Sequence, residues 1–345
     1  MKQSLERIIH AVAPTRIGDV GGWTDTWFAE HGSIFNISVS PLVEVQIRRR
    51  PLNETKKPVV IRAENYREVY EFDPVKASGG KHPLIEAAIT EMDLPQDVGL
   101  EVSIYSSAPP GASMGTSAAV SVALIGALDA LTPGRMTPVE IARFAHRLET
   151  QKLNLECGVQ DQIASACGGI NLIHMPEYPQ TEVTPISVSE EIYWELEQRL
   201  LVVYIGKPHQ SSEVHRAVIK GLGERPKNDV RLAELRALSK QAATALERGN
   251  FEALGDVFHQ NTEVQRRLHP DLVCSDFEKI ISLASAYDAE GCKVNGAGGD
   301  GGSVTILCTA DLNRKRELES ELHRNNFRCL PVLLSSQGLR VWEST

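Results

Sequence analysis

The stretch Pro109-Pro110-Gly111-Ala112-Ser113-Met114-Gly115-Thr116-Ser117-Ala118-Ala119 sets small and hydroxyl residues directly before an apolar run that continues to Leu131. The run over 118–131 predicts a helix. The N–H groups at the start of such a helix, with the helix dipole behind them, form an anion site. Small side chains let a phosphate approach the backbone closely, and Ser113, Thr116 and Ser117 add hydroxyl donors or a magnesium ligand. Neither Gly-Lys-Ser nor Gly-Lys-Thr occurs in the chain, which excludes the common phosphate loop. Two other readings fit the same residues. The segment from Gly111 to Gly115 matches G-x-S-x-G, the nucleophile elbow of α/β-hydrolases, with Ser113 as nucleophile and Asp161 and a histidine completing a triad. That elbow needs a strand where Pro109 and Pro110 stand. The third reading is a plain packing site for a small-residue helix.

A second glycine cluster narrows the choice. Lys293-Val294-Asn295-Gly296-Ala297-Gly298-Gly299-Asp300-Gly301-Gly302 precedes Ser303-Val304-Thr305-Ile306-Leu307-Cys308. Gly296, Gly298 and Gly301 satisfy G-x-G-x-x-G, but a dinucleotide fold needs a helix after its glycines. The β-branched residues that follow here predict strand–loop–strand. Five glycines in seven residues exceed what a hairpin needs, which points to close approach of a ligand. Near the start of the chain, Ala13-Pro14-Thr15-Arg16-Ile17-Gly18-Asp19-Val20-Gly21-Gly22-Trp23-Thr24-Asp25-Thr26 packs an arginine, two aspartates, glycines and a tryptophan into what reads as a loop. Carboxylate acceptors beside an aromatic wall suit sugar hydroxyls; a surface turn with a half-buried Trp23 is the plainer alternative.

In this order and combination the three segments resemble the GHMP kinases, the superfamily of galactokinase, homoserine kinase and mevalonate kinase. The family's P-x-x-x-G-L-G-S-S-A-A loop corresponds to 109–119, its K-x-x-G-A-G-x-G-G loop to 293–302, and its N-terminal substrate segment to 13–32. Gly21-Gly22-Trp23-Thr24-Asp25-Thr26 resembles the G-G-W-T-D-T of fucokinases, and the heptose 7-phosphate kinases carry a near relative with glycine for tryptophan. Cys157-Gly158-Val159-Gln160-Asp161-Gln162, then Gly168-Gly169-Ile170-Asn171, then Tyr204-Ile205-Gly206 with Ser211-Ser212-Glu213-Val214, continue the likeness. Two departures stand out: Ser113 and Met114 replace the family's Gly-Leu, and Asp300 lengthens the third loop by one residue.

The resemblance implies an α+β, two-lobed fold with the active site in the cleft between an N-terminal domain, 1–190, and a C-terminal domain, 191–345. It implies transfer of the γ-phosphoryl group of ATP, with Mg2+, to the anomeric hydroxyl of a sugar, either a heptose 7-phosphate or a fucose-like sugar. By matching positions, Asp161 orients or deprotonates the attacking hydroxyl and Arg16 steadies the transferred phosphate. Ser117 and Glu149 hold the magnesium. Pro110, Gly111, Ala112, Ser113, Met114, Gly115, Thr116 and Ser117 cradle the nucleotide phosphates. Gly22, Trp23, Thr24, Asp25, Gly169, Gly298 and Gly299 contact the sugar, and the segment 296–302 closes over substrate and nucleotide. A sensor on the same fold that binds sugar and ATP without turnover is a further alternative, although it would lack Glu149 and Asp161.

Composition agrees with an enzyme of this kind. Hydrophobic residues make up 42% and charged residues 23% of 345, as in globular proteins. The net charge of −9 argues against a broad nucleic-acid surface, and Arg48-Arg49-Arg50 reads as a solvated strand end. Six scattered cysteines without C-x-x-C spacing read as reduced thiols in a cytoplasmic protein with no zinc site. His31, His146 and His209 read as packing or surface residues. Lys2, Glu6 and Arg7 precede no long apolar core, so no signal peptide is expected, and no stretch is long enough to span a membrane. Lys207, His209 and Arg216 are the candidates to hold a distal phosphate on the sugar; Trp23 and Trp27 are the candidate apolar patch for a neutral one. Strands are expected at 42–47, Val59–Ala63, 100–105, 169–174, 200–205 and 328–334. Helices are expected at 118–131, 137–152, 229–248, Phe251–Leu268, 275–287 and Leu312–Arg324. Capping boxes are expected at Thr137/Glu140 and Ser275/Glu278.

Overall fold

Strand β8, Leu200–Tyr204, shows why the chain forms two sheets with helices between and around them. Every residue of it is buried. Leu200, Val202 and Tyr204 face one apolar cluster while Leu201 and Val203 face another, so the two-residue period of a strand divides it between two cores. The computed structural model describes residues 7–344 apart from 53–55, 77–79, 93, 96–97, 208–210 and 224–225. Lys2, Glu6 and His209 lie outside the described residues.

The larger sheet holds β1 (Ile8–Val20), β2 (Gly32–Arg50), β3 (Val59–Ala63), β4 (Glu68–Phe72), β5 (Gly99–Ser106), β6 (Ile170–Glu177), β7 (Gln180–Pro185) and β12 (Arg340–Ser344). Its main path runs β12-β1-β2-β5-β3-β4, and β6 and β7 extend from the other half of β2. Against this sheet pack α1 (Pro83–Glu91), α2 (Thr116–Asp129), α3 (Pro138–Arg147) and α4 (Gln160–Cys167). The smaller antiparallel sheet runs β11-β8-β10-β9, with β9 Gly291–Val294, β10 Ser303–Leu307 and β11 Arg328–Leu330. Helices α7 (Val230–Glu247) and α8 (Phe251–Leu268) lie on one of its faces. Helices α9 (Ser275–Ala286) and α10 (Leu312–Arg324) lie on the other. Helices α5 (Glu190–Arg199) and α6 (Ser211–Leu222) complete the chain. The larger sheet draws its strands from 8–185 and the smaller from 200–330, except that β12 returns to pair with β1.

The structure corrects the sequence reading at three places and agrees with it at two. The N-terminal segment is mainly strand, not loop: Arg16 and Asp19 belong to β1, which pairs with β2 through bulges at Pro14/Thr15 and between Ile17 and Val20. Bulges re-aim side chains and break the alternation by which a strand is recognised. The expected helix over 137–152 is α3 followed by a π-helical turn, Leu148–Lys152. The Thr137/Glu140 capping box forms, with Thr137 Oγ1 accepting from Glu140 N at 3.3 Å. The Ser275/Glu278 box does not form: Cys274 occupies the N-cap position, and Glu278 pairs with Arg266 instead. The expected strand–loop–strand at the second glycine cluster is present as β9 and β10.

Candidate active site

A cavity of about 560 Å³ opens between the two sheets. Its wall is assembled from β1 (Arg16, Asp19), the turn after it (Trp23, Asp25), the loop into α2 (110–117), the π turn (Glu149), the start of α4 (Gln160, Asp161, Gln162) and the third glycine segment (Gly296, Ala297).

The loop before α2 is built for a bound group. Gly111, Ser113 and Gly115 have φ of 70°, 56° and 70°, so the backbone turns through the left-handed region three times and Ser113 does so with a side chain. Gly115 is the N-cap of α2 and no side chain caps the helix. The first-turn N–H groups are therefore free for an anion. The side-chain oxygens of Ser113 and Thr116 are buried and have no hydrogen-bond partner among the described residues, and the same is true of Gln160 Oε1 and Gln162 Oε1. All four residues line the cavity. Buried polar atoms are normally satisfied, so four such atoms around one cavity mark where ligand atoms belong. Ser117, at the mouth of the helix, is exposed.

Arg16 and Asp161 form the charged centre. Arg16 Nε donates to Asp161 Oδ1 at 2.8 Å and Nη2 to Oδ2 at 3.2 Å, a bidentate pair of high geometric specificity. Arg16 Nη1 donates to the Ser113 carbonyl, and Met114 O accepts from Arg16 N at 2.9 Å, which ties the loop to β1. Burial works against the Arg16 charge, and Asp161 and Asp19 outweigh it, holding the guanidinium above its usual value. Asp161 sits in the first turn of α4, where a carboxylate complements the dipole. A hydrolase triad would need an imidazole on Asp161; the guanidinium of Arg16 holds that place, so the Ser113 hydrolase reading loses its support.

Two further carboxylates surround the pair. Asp25 is buried; its Oδ2 accepts from Gln160 N at 3.1 Å, and burial pushes its pKa up to about 6. A Cβ on Gly158 would stand 1.9 Å from that Oδ2, so only glycine fits there. Glu149, carried on the π turn, is 5% exposed and accepts from Gln162 Nε2 at 2.8 Å; burial raises its pKa to about 7. A buried carboxylate held only by neutral partners is short of positive charge, and π turns recur at functional sites. Trp23 lines the cavity at 5% exposure with φ of 75°, a costly backbone angle for an aromatic residue.

Other expected site residues lie elsewhere. Gly22 flanks Asp19: its Cβ would stand 3.0 Å from Asp19 Oδ2. Thr24 donates to the Gly21 carbonyl at 2.7 Å inside the turn. Gly169 links Ser38 and Ser335 by backbone bonds of 2.9 and 2.7 Å. Gly299 N donates to Leu272 O at 3.1 Å, and Gly298 packs on that same carbonyl. None of Gly22, Thr24, Gly169, Gly298 and Gly299 lines the cavity. Lys207 is exposed and paired with Asp276 at 2.8 Å, and Arg216 is exposed; neither lines the cavity. Trp27 is 46% exposed and stacks edge-on against Phe28. Asp300 is exposed. The sequence reading counted Asp19 among the carboxylate acceptors for sugar hydroxyls and gave Lys293 no role of its own; the two form a buried ion pair at 3.4 Å across 274 residues of chain. No local signal marks such a pair.

The two sheets, the cavity and the uncapped helix beside a carboxylate–guanidinium pair form a two-sheet architecture with a site suited to an anionic ligand. Residues 83–169 match the GHMP kinases N terminal domain family. The chain is 30% identical over 251 residues to a mevalonate kinase of Thermococcus gammatolerans, covering 71% of this chain and 70% of the relative. It is 26% identical over 328 residues to a bifunctional fucokinase/GDP-fucose pyrophosphorylase of Arabidopsis thaliana, covering 90% of this chain. The match spans about a third (31%) of that longer protein. A crystal structure of a D-glycero-D-manno-heptose 1-phosphate kinase from Bacteroides thetaiotaomicron superposes with a TM-score of 0.76 at 20% identity, over 97% of this chain and 98% of the other. The chain belongs to the GHMP kinases. Among the described residues no helix is long and apolar enough to cross a membrane.

Proposed function

We propose that this kinase transfers the γ-phosphoryl group of ATP to the anomeric hydroxyl of a sugar. The observation that carries it is the Arg16–Asp161 pair facing the uncapped start of α2 across one cavity. The free N–H groups of α2, with Ser113 and Thr116 Oγ, receive the phosphates of ATP. Asp161 accepts the hydrogen bond of the acceptor hydroxyl and takes up its proton as the new P–O bond forms and the bond from the γ-phosphorus to the bridging oxygen breaks, that oxygen leaving with ADP. Arg16 holds the Asp161 carboxylate in place through two hydrogen bonds and offers positive charge to the group in transit. Glu149 and Ser117 are suited to hold Mg2+: Glu149 is a buried carboxylate without a cation partner, and Ser117 is an exposed hydroxyl at the helix mouth. Bound there, Mg2+ supplies charge neutralisation for the phosphates. Trp23 walls the sugar while Asp25 accepts from its hydroxyls.

The motif resemblance supports both a heptose 7-phosphate and a fucose-like sugar as acceptor. The cavity favours the uncharged one. Asp25 and Glu149 both lie within electrostatic reach of Asp161, and Glu156 lines the same wall. A distal phosphate beside these carboxylates is repelled; of the cations on the wall, Arg16 is paired with Asp161 and Lys81 with Glu68. ADP release from Mg-ATP, measured over mannoheptose 7-phosphate, fucose, galactose, arabinose, mannose and glucuronate, tests the proposal. Turnover with one neutral sugar supports it; a protein that binds no Mg-ATP sinks it.

A further inference from the structure

Four charges run in alternating order from α4 to β9. Asp161 pairs with Arg16 at 2.8 Å, Arg16 Nη1 stands 3.9 Å from Asp19 Oδ1, and Asp19 Oδ1 stands 3.4 Å from Lys293 Nζ. Asp19 and Lys293 are each 1% exposed at the side chain. Arg16 therefore has two carboxylate neighbours and can satisfy only one with its bidentate edge. It is engaged with Asp161, and Asp19 is satisfied from the other side. Both Asp19 oxygens lie 3.1 Å from Gly296 N, and Lys293 supplies the opposing charge. Lys293 also donates to the Val294 carbonyl and does not line the cavity, so its ammonium is directed at Asp19 and not at a phosphate. A Cβ on Gly296 would stand 3.3 Å from Arg16 Nη2, which shows how closely the third glycine segment lies against the guanidinium. Without Lys293, Asp19 becomes a buried carboxylate with one cation in reach, Arg16. Leaving a buried charge uncompensated is strongly unfavourable, and the guanidinium would move from Asp161 toward Asp19.

We propose that Lys293 is a positioning residue: by neutralising Asp19 in the wall between the sheets, it keeps the Arg16 guanidinium on Asp161. The third glycine segment then contributes to phosphoryl transfer through this charge chain. The proposal rests on the phosphoryl-transfer reading above.

The test compares wild type with Lys293→Met, Asp19→Asn and the charge-matched double variant. Asparagine keeps an acceptor for Gly296 N, so the double variant removes the charges but not the docking. The readouts are kcat and KM per folded molecule in the ADP-release assay, Mg-ATP affinity by calorimetry, and the 15N-detected Arg16 Nε–H resonance, identified by its loss in Arg16→Lys. We expect Lys293→Met to lose about 100-fold in kcat, the scale of a misplaced catalytic group. KM for ATP should stay within about threefold, and the Arg16 resonance should shift. The double variant should recover kcat to within about tenfold and return the resonance. Unchanged kcat in folded Lys293→Met, or a double variant as impaired as the single one, overturns the proposal. If wild type turns over none of the sugars, the sugar-acceptor reading fails on its own. The resonance still decides this inference, because an Arg16 signal unmoved in Lys293→Met overturns it.

Discussion

The two glycine-rich segments look alike as sequence and differ in what their backbones do. In the loop before α2, the N–H groups at the helix start face the cavity uncapped, and two buried hydroxyls beside them have no partner. In the segment between β9 and β10 the backbone is already engaged. Gly296 N donates to Asp19, Gly299 N to Leu272 O, and Asn295 N to Ser303 O. Gly298 leaves room for a neighbouring carbonyl, as the 2.1 Å from its missing Cβ to Leu272 O shows. The first segment keeps free donors on the cavity, which the proposed function assigns to the phosphates of ATP. The second is a joint that lets one lobe approach the other. Glycine permits close approach in both cases, but only free N–H groups make an anion site.

The largest expected effect lies on the receptor side. Asp161→Asn should lower kcat by about a thousandfold with Mg-ATP affinity retained, because it removes the proposed proton acceptor and leaves the α2 start intact. Stopped-flow or coupled ADP release checks this, and a small loss would separate the receptor segment from the chemistry.

The same substitution placed in each segment should then give different losses. Gly298→Ala puts a Cβ onto the Leu272 carbonyl at φ of 70°. It should cost about 3 kcal/mol of stability, read as a lowered urea midpoint, with the kcat of folded molecules nearly unchanged. Gly115→Ala, also at φ of 70°, brings a Cβ to 3.2 Å from Asp161 Cγ. It should cost only about 1–2 kcal/mol of stability but at least about tenfold in kcat. Equal losses of stability and activity in both variants would erase the distinction.

Glu149 gives a third, pH-dependent contrast. Burial raises its pKa from 4.5 to about 7 in the folded protein. The folded state thus binds the proton more tightly than the unfolded state. Stability is unaffected by this group below about pH 4.5, falls as pH rises toward 7, and remains reduced above it. Glu149→Gln should therefore stabilise the ligand-free protein above pH 7, by about 3 kcal/mol at most, and have little effect at pH 4.5. Mg2+ with ATP should raise the Tm of wild type more than that of the variant. Thermal unfolding over pH 4.5–8 measures both, and a pH-independent difference would remove Glu149 from the metal site.

The smallest expected effect is at Lys207. Exposed and paired with Asp276, it should tolerate Lys207→Ala with less than about twofold change in kcat/KM for the acceptor, in line with the small worth of surface pairs. A large loss confined to a phosphorylated sugar would restore the distal-phosphate reading.

Much of the secondary structure was legible, for reasons that can be named. Helix α8 matches its expected bounds because Asn250 caps it and its apolar residues follow the helical period. Strand β8 reads plainly as a β-branched run. Strand β1 was not legible: Gly18, Asp19 and two bulges interrupt the pattern, and its last residues are buried on both faces. The π turn that carries Glu149 looks like continued helix, since the extra residue in that turn follows no composition rule. The Ser275 cap failed because Glu278 has a better partner, Arg266, on another helix.

Sequence alone therefore determined the parts whose physics is local. These are the helix start after Gly115, the strand–loop–strand at 291–307, the capping box at Thr137 and the residue types that the proposed phosphoryl transfer needs. Tertiary structure decided which of them meet. It placed Arg16 on Asp161 across 145 residues and Lys293 on Asp19 across 274, and it turned the second glycine segment from an apparent cradle into a joint. Pairing energies of buried charges depend on separation and desolvation, and neither quantity exists until the two lobes have closed on each other.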